Sequence, residues 1–395
     1  MRSKASLLTF VVLSTMLGLL VMPNASADDI DIFGYFEPQF IFLYRDGESY
    51  QMNSDKLRLD LNRSVGGVEF GSDLIYTLYY GKKNWNILDF FSDEIRSEVP
   101  EGMRSYFLVE FKDTLYLDNV YLRMSNSRIA CTIGKQEISL GTGYFSNPVD
   151  VFNSKDVLDP TYEQPGQNGA RVDILLQDRI NVMLLYSPIE GDWESSGKLL
   201  RLKVGLGHFD FSATGYEFKE HLTDFYSLSV ISERRRLGGF EFVGELFGLG
   251  VWFEGAYNFM EISEDFYEFL VGTDYTFESG LYVLFEYQRN EKGKTNYENY
   301  NINDWLRFYL GENKTISRDQ MYGMISYPIT DLINLQLLSI FCVNDGSAAI
   351  VPVIGYNIFE NVDIDIMGNI YTGSEGKVYN SRLGNGLLMR ARVYF

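Results

Sequence analysis

Residues 387–395 read Leu-Leu-Met-Arg-Ala-Arg-Val-Tyr-Phe. Successive side chains of an extended strand point to opposite faces. Leu387, Met389, Ala391, Val393 and Phe395 therefore share one side, and Leu388, Arg390, Arg392 and Tyr394 the other. Two arginines occupy a face that excludes the apolar set. Such a segment is either the edge of a water-soluble sheet or a strand with one side in lipid, and the rest of the sequence decides between them.

At the other end, Arg2 and Lys4 precede an apolar run from Leu7 to Met22, and Pro23-Asn24 leads into Ala25-Ser26-Ala27, a small-x-small cleavage site. The pattern predicts a removed secretory signal peptide over residues 1–27 and a mature chain over 28–395. Beyond it no run approaches the roughly 20 continuous apolar residues of a membrane helix, so any crossing falls to strands. The composition suits strands, with 29 Phe and 28 Tyr against 9 Pro. Of the 2 His, His208 falls at a turn and His221 in a polar stretch, neither beside a nucleophile motif, so an enzyme is not expected. The formal charge of −20 argues against nucleic acid as a partner and suits divalent cations at a lipopolysaccharide surface or a cation-preferring pore. Cys131 and Cys342 have no metal-site spacing, no bridge is expected between them, and no cofactor or metal ligand set is apparent.

Alternation recurs along the chain. Phe36, Pro38, Phe40 and Phe42 oppose Tyr35, Glu37 and Gln39; Leu57, Leu59 and Leu61 oppose Lys56, Arg58, Asp60 and Asn62; Val120, Leu122 and Met124 oppose Asn119, Tyr121 and Arg123. Ala170, Val172 and Ile174 oppose Arg171 and Asp173, and Val362, Ile364 and Ile366 oppose Asp363 and Asp365. Charge on one face and carbon on the other, with no helices to cover the apolar side, is the dyad pattern of a closed barrel in lipid.

Connection lengths alternate as well. Short turns fall near Ser64–Gly66, Asn126, Asp178, His208, Gly248, Ser279, Thr330 and Glu360, with longer connections at 46–55, 81–113, 139–168, 190–197, 290–318 and 372–383. Short periplasmic turns and long outer loops give about 18 strands if residues 224–247 supply one long strand, with 16 as the alternative. Arg234-Arg235-Arg236 interrupts that segment and makes the count weakest there. The expected fold is all-β: a single transmembrane antiparallel up-and-down β-barrel over residues 28–395.

Two resemblances follow from these residues. The terminal strand ending at Phe395 resembles the signal by which bacterial barrel-assembly machinery recognises its substrates, which implies the bacterial outer membrane. Gly134-Lys135-Gln136, Gly141-x-Gly143, Asn147-Pro148-x-Asp150 and Pro165-Gly166 resemble a pattern of porin-like outer-membrane proteins related to alginate-export channels, although Leu140 stands where members often have Trp.

The glycines and prolines of 139–168 specify tight bends, as a loop folding back into a barrel mouth needs. Asp150, Asp156, Asp159 and Glu163 would then hang into the lumen. A basic wall of Arg58, Arg123, Arg171, Arg390 and Arg392 would face them, with Gln136, Asp173, Asp363 and Asp365 also lining the pore. Local pairing of the arginines with Glu37, Asp60, Glu69 and Asp173 is the competing arrangement. In the loop 290–318, Tyr297, Tyr300, Trp305 and Tyr309 are candidate sugar contacts, against a loop that packs on itself. The expected function is passive diffusion of small hydrophilic solutes through a pore narrowed by 139–168; the alternative is a non-conducting or gated barrel for surface anchoring, adhesion or polysaccharide export. The implied partners are outer-membrane lipid, lipopolysaccharide and the assembly machinery, with a homotrimer as one assembly to consider.

Overall fold

The computed structural model describes residues 30–395 except 46, 157, 160–161 and 189–191, so the expected signal peptide lies outside the described residues. Eighteen strands close one antiparallel sheet on itself. They are β1 (Asp31–Arg45), β2 (Glu48–Val65), β3 (Val68–Gly81), β4 (Thr114–Ser125), β5 (Ile129–Gln136), β6 (Gln167–Gln177), β7 (Ile180–Ser187), β8 (Gly197–Leu206) and β9 (Phe209–Asp224). The second half comprises β10 (Ser229–Leu246), β11 (Leu249–Met260), β12 (Phe266–Thr276), β13 (Tyr282–Asn290), β14 (Asp319–Pro328), β15 (Ile333–Cys342), β16 (Ser347–Phe359), β17 (Val362–Tyr371) and β18 (Asn385–Tyr394). Each pairs with its sequence neighbour, and β18 returns to β1 in the register Tyr35↔Tyr394 to Tyr44↔Asn385. Phe395 and Gly34 complete the seam by exchanging both backbone hydrogen bonds at 3.1 Å. Closure leaves no unpaired edge, which hydrocarbon would not tolerate.

The alternation read from the sequence places the faces correctly. Phe36, Phe40 and Phe42 of β1, Tyr76, Leu78 and Tyr80 of β3, and Leu387, Met389 and Val393 of β18 lie exposed on the outer surface, while Glu37 and Arg390 are buried inside. Among the described residues no helix is long and apolar enough to cross a membrane. The strands do that work.

All the short turns expected on the periplasmic side are present, and two show how they are made. Gly66 and Gly67 both have positive φ (58° and 84°), as do Phe247 (56°) and Gly248 (79°), the backbone that two-residue hairpin turns require. Of residues 46–55, expected to form a long connection, 48–55 belong to β2. β1 and β2 instead pair up to Arg45↔Glu48, because Gln51, Asn53 and Asp55 satisfy their backbone in a strand above the lipid. Residues 229–246 do form one strand, and Arg234-Arg235-Arg236 does not interrupt it: Arg235 is buried inside on Glu220 (2.6 Å), while Arg236 faces out to Glu217 (2.7 Å).

The interior is not uniform. On β11–β17 the inward side chains Leu270, Leu284, Leu338, Ile340, Val351, Val353 and Met367 are buried in one apolar cluster. The loop 82–113, with its helix α1 (Asp93–Glu98), and the loop 291–318, with α2 (Ile302–Tyr309), fold over the mouth and join that cluster through Phe91, Ile95, Val99, Ile302 and Trp305. A second apolar cluster, of Met183, Leu185, Leu199, Tyr216 and Leu237, packs on Ile138, Leu140 and Val149 of the segment after β5. The β1–β4 and β18 side is lined instead by charge. Cys131 and Cys342 are both free thiols.

Candidate functional site

The segment between β5 and β6 turns inward rather than outward. Its bends are set by Gly141, at φ 89°, where a Cβ would lie 2.5 Å from the Glu254 carboxylate, and by Gly143, where it would lie 2.1 Å from the Ser146 carbonyl. Only glycine fits such approaches. Asn147 donates its amide to the Leu140 carbonyl (2.7 Å), and Asp150 accepts from the Leu140, Phe152 and Asn153 backbone N–H groups at 3.2, 2.9 and 3.2 Å. The Gly-x-Gly and Asn-Pro-x-Asp motifs are thus an internal clasp.

On one side the clasp is held by two carboxylates of the barrel wall. Glu254 of β11 accepts from the N–H groups of Thr142 (2.8 Å), Gly143 (3.4 Å) and Val149 (2.6 Å). Glu286 of β13 accepts from Tyr144 (2.6 Å), Phe145 (2.7 Å) and the Trp252 indole (2.7 Å). Both carboxylates are fully buried, and charge-assisted bonds of this kind are stronger than neutral ones. Lys155 donates to the Gly143 carbonyl. Burial lowers its ammonium's pKa, with Glu286, Glu254 and Asp150 acting in the opposite sense.

On the other side the loop meets a cluster of cations. Asp159 binds Arg390 of β18 at 2.6 and 3.2 Å. Glu163 accepts from the Tyr35 hydroxyl (2.7 Å) and Arg58 (3.2 Å), with Lys56 at 3.6 Å and Arg392 at 3.9 Å. Burial raises the Glu163 carboxyl's pKa, but Lys56, the Tyr35 hydroxyl, Arg58 and Arg392 outweigh it and leave the value lowered. The same cations pair along the wall: Arg58 with Asp60 (2.7 Å) and Asp73 (2.9 Å), and Arg392 with Glu37 (2.5 Å). Local pairing and contact with the loop therefore coexist.

Other expected residues lie elsewhere. Asp150 is 1 % exposed and turned into the clasp, not into open lumen. Arg123 is exposed opposite Glu69, at the periplasmic end of β4, outside the cluster. Arg171 pairs with Asp173 at 2.7 Å on its own strand. Gln136 is buried, donating to the Thr132 and Gly169 carbonyls at 3.3 and 3.2 Å. Asp363 accepts from Asn357 (2.7 Å). Lys56, Glu254 and Glu286 belong to the site and were not singled out from the sequence. Among the aromatic loop residues, Trp305 and Tyr300 are 1 % and 6 % exposed and packed in the loop core, whereas Tyr297 is exposed.

Three cavities adjoin the loop, the smallest, about 180 Å³, lying between Glu163 and Arg392; the other two lie above and below it. One of about 980 Å³ is lined by Tyr35, Arg58, Asp60, Asp159, Glu163 and Asp365, and extends to Phe33 and Tyr394 at the periplasmic end. The other, about 350 Å³, lies beneath α2 and is lined by Trp305, Phe308, Tyr309, Lys314 and Tyr379. Lys155 and Asp156 line both. Burial raises the Asp156 carboxyl's pKa, and Asp159 adds to the effect.

No protein-family model matches the sequence, and no curated protein matches it either. Solved structures do resemble it. Acinetobacter baumannii OccAB1 superposes with a TM-score of 0.60 at 10 % identity, covering 93 % of this chain and 97 % of that one. OccAB2 of the same organism gives 0.58 at 9 % identity, covering 94 % and 99 %. Pseudomonas aeruginosa OccK3 (OpdO) gives 0.52 at 12 % identity, covering 92 % and 95 %. At such identities the likeness speaks to architecture alone: the chain has the fold of a porin-like barrel of the bacterial outer membrane.

Proposed function

We propose that the barrel is a channel for passive diffusion of small hydrophilic solutes, that residues 28–395 form its one domain after removal of a signal peptide, and that the loop 139–168 narrows its bore. One observation carries this reading. The loop is bonded to Glu254 and Glu286 on one wall and to Arg58 and Arg390 on the facing wall, so it spans the lumen between two cavities. Solute passes from the outer cavity beside Lys155 and Asp156 into the larger periplasmic one, which polar and charged side chains keep wet. Asp159 and Glu163 set against Lys56, Arg58, Arg390 and Arg392 give a transverse field at that level. Outer-membrane lipid and lipopolysaccharide surround the barrel, and the terminal strand to Phe395 addresses it to the assembly machinery. The work is non-enzymatic.

Proteoliposomes holding the refolded mature chain test this with neutral sugars of graded size. Swelling for monosaccharides that falls off with solute size is expected. A folded barrel impermeable to every solute overturns the channel and favours the anchoring or gated-export reading.

A further inference from the structure

The outer face of β8–β12 differs from that of β15–β18 and β1. On β15–β18 and β1 the outward positions carry no charged side chain. On β8–β10, by contrast, Lys198, Lys219, Arg234 and Arg236 all face outward, gathered by the registers Lys198↔Glu217↔Arg236 and Lys219↔Arg234 into two adjacent rungs. They lie toward the extracellular ends of their strands. Glu217 pairs with Lys198 (3.7 Å) and Arg236 (2.7 Å), and the Arg234 N–H donates to Glu261 (3.1 Å). Four cations there stand against Glu217, Glu261 and Asp192 on a chain whose formal charge is −20, and the Arg236 side chain is 61 % exposed.

Immediately on the membrane side of these cations the surface is hollow. A groove of about 570 Å³ is walled by Phe240, Phe253, Tyr257 and Phe269. Gly238 lines it one rung below the cations, and an added Cβ there, or on its cross-strand partner Gly215, would meet no atom within 4 Å. Aromatic walls around an open floor hold an apolar chain in one place, where a flat belt would let it slide.

We propose that this face is a binding site for a phosphorylated, multiply acylated lipid of the outer leaflet, the chemistry of lipopolysaccharide. An acyl chain lies in the groove between Phe240 and Phe269, and the phosphates sit on Lys219, Arg234 and Arg236. The choice of occupant follows from charge complementarity: a cationic rim directly above an apolar slot matches an anionic head on acyl chains. A second copy in a two-fold contact would bring the same cations against its own.

The test is native mass spectrometry of the refolded mature barrel in detergent, titrated with purified hexa-acylated lipopolysaccharide and, separately, with phosphatidylglycerol. Folding is checked by the heat-dependent electrophoretic shift of a closed barrel. Wild type is expected to retain lipopolysaccharide in preference to phosphatidylglycerol. The combined Lys219→Ala, Arg234→Ala, Arg236→Ala variant should bind it at least tenfold more weakly, and so should Gly238→Leu, which fills the groove from a position with free space. Should the triple variant not fold, Arg236→Gln alone is read for a weaker loss in the same direction. Equal retention of the two lipids, or variants that bind like wild type, overturns the site. So does a Gly238→Leu barrel that changes oligomeric state while keeping its lipid, since the groove would then belong to a subunit contact.

Discussion

Glu254 and Glu286 hold the loop with five backbone N–H groups between them. Leaving a buried donor unpaired costs about 1–3 kcal/mol, so the combined Glu254→Ala, Glu286→Ala barrel is expected to release the loop without opening the sheet. Limited trypsin digestion checks this: cleavage after Lys155 should be absent in wild type and rapid in the variant, with strands still protected. The two acids at the junction titrate in opposite senses. Asp156, raised by burial, binds its proton more tightly in the folded loop, so its contribution favours the fold at low pH and is lost as pH rises. Glu163, lowered by its cations, contributes stability that is full above the ordinary glutamate value of about 4.3 and is lost as pH falls below it. On acidification the reversal potential in a salt gradient should therefore lose cation preference first, above the ordinary aspartate value of about 3.9, and Asp156→Asn should remove that step. That Arg58, Arg390 and Arg392 meet Asp159 and Glu163 inside the barrel was legible because strand parity and loop chemistry both pointed inward. Asp150 was misread because its role in the clasp depends on a bend that parity does not describe. Glu254 and Glu286 resemble any other inward polar residue until the distant segment they bind is in place.

Among the elements, the outward faces carry the membrane energetics. Phe40 on β1 and Leu387 on β18 face lipid, whereas Gln39 and Arg390 face each other inside. Arginine on the lipid face near the midplane costs about 2–4 kcal/mol, so Phe40→Arg should lower stability by that amount in urea titrations in vesicles. Gln39→Glu should cost less, since the carboxylate still accepts from the Arg390 guanidinium it faces. The turn Phe247-Gly248 invites the opposite change. Phe247 holds a positive φ while 94 % exposed, a backbone that disfavours a bulky residue by about 1–2 kcal/mol, so Phe247→Gly should stabilise by about 1 kcal/mol in the same titration. Turns were the most legible elements, since glycine, asparagine and aspartate mark them locally. The pairing of Arg45 with Glu48 was not, because polar residues above the lipid look alike in a strand and in a loop. The triple arginine misled for a related reason: alternation sends its middle member inward to Glu220 and its neighbours outward.

At the scale of the whole molecule, repetition made the closed barrel readable. Each strand alone is a weak signal, but the common parity and the short periplasmic turns allow few other solutions. The division of the interior was less readable. Leu270, Leu284, Ile340 and Met367 face inward against Phe91 and Trp305 of the outer loops, and from the sequence an apolar residue on either face of a strand looks equally suited to lipid. On the proposed reading, that packed side leaves passage to the charged side, beside the loop. The measurement that tests this most directly is single-channel conductance of the refolded mature chain in a planar bilayer, beside the Glu254→Ala, Glu286→Ala variant. The account predicts small, stable openings for wild type and a severalfold larger conductance once the loop is released. Equal conductance in the two would contradict a loop-narrowed pore, and silence from both correctly folded barrels would contradict a channel.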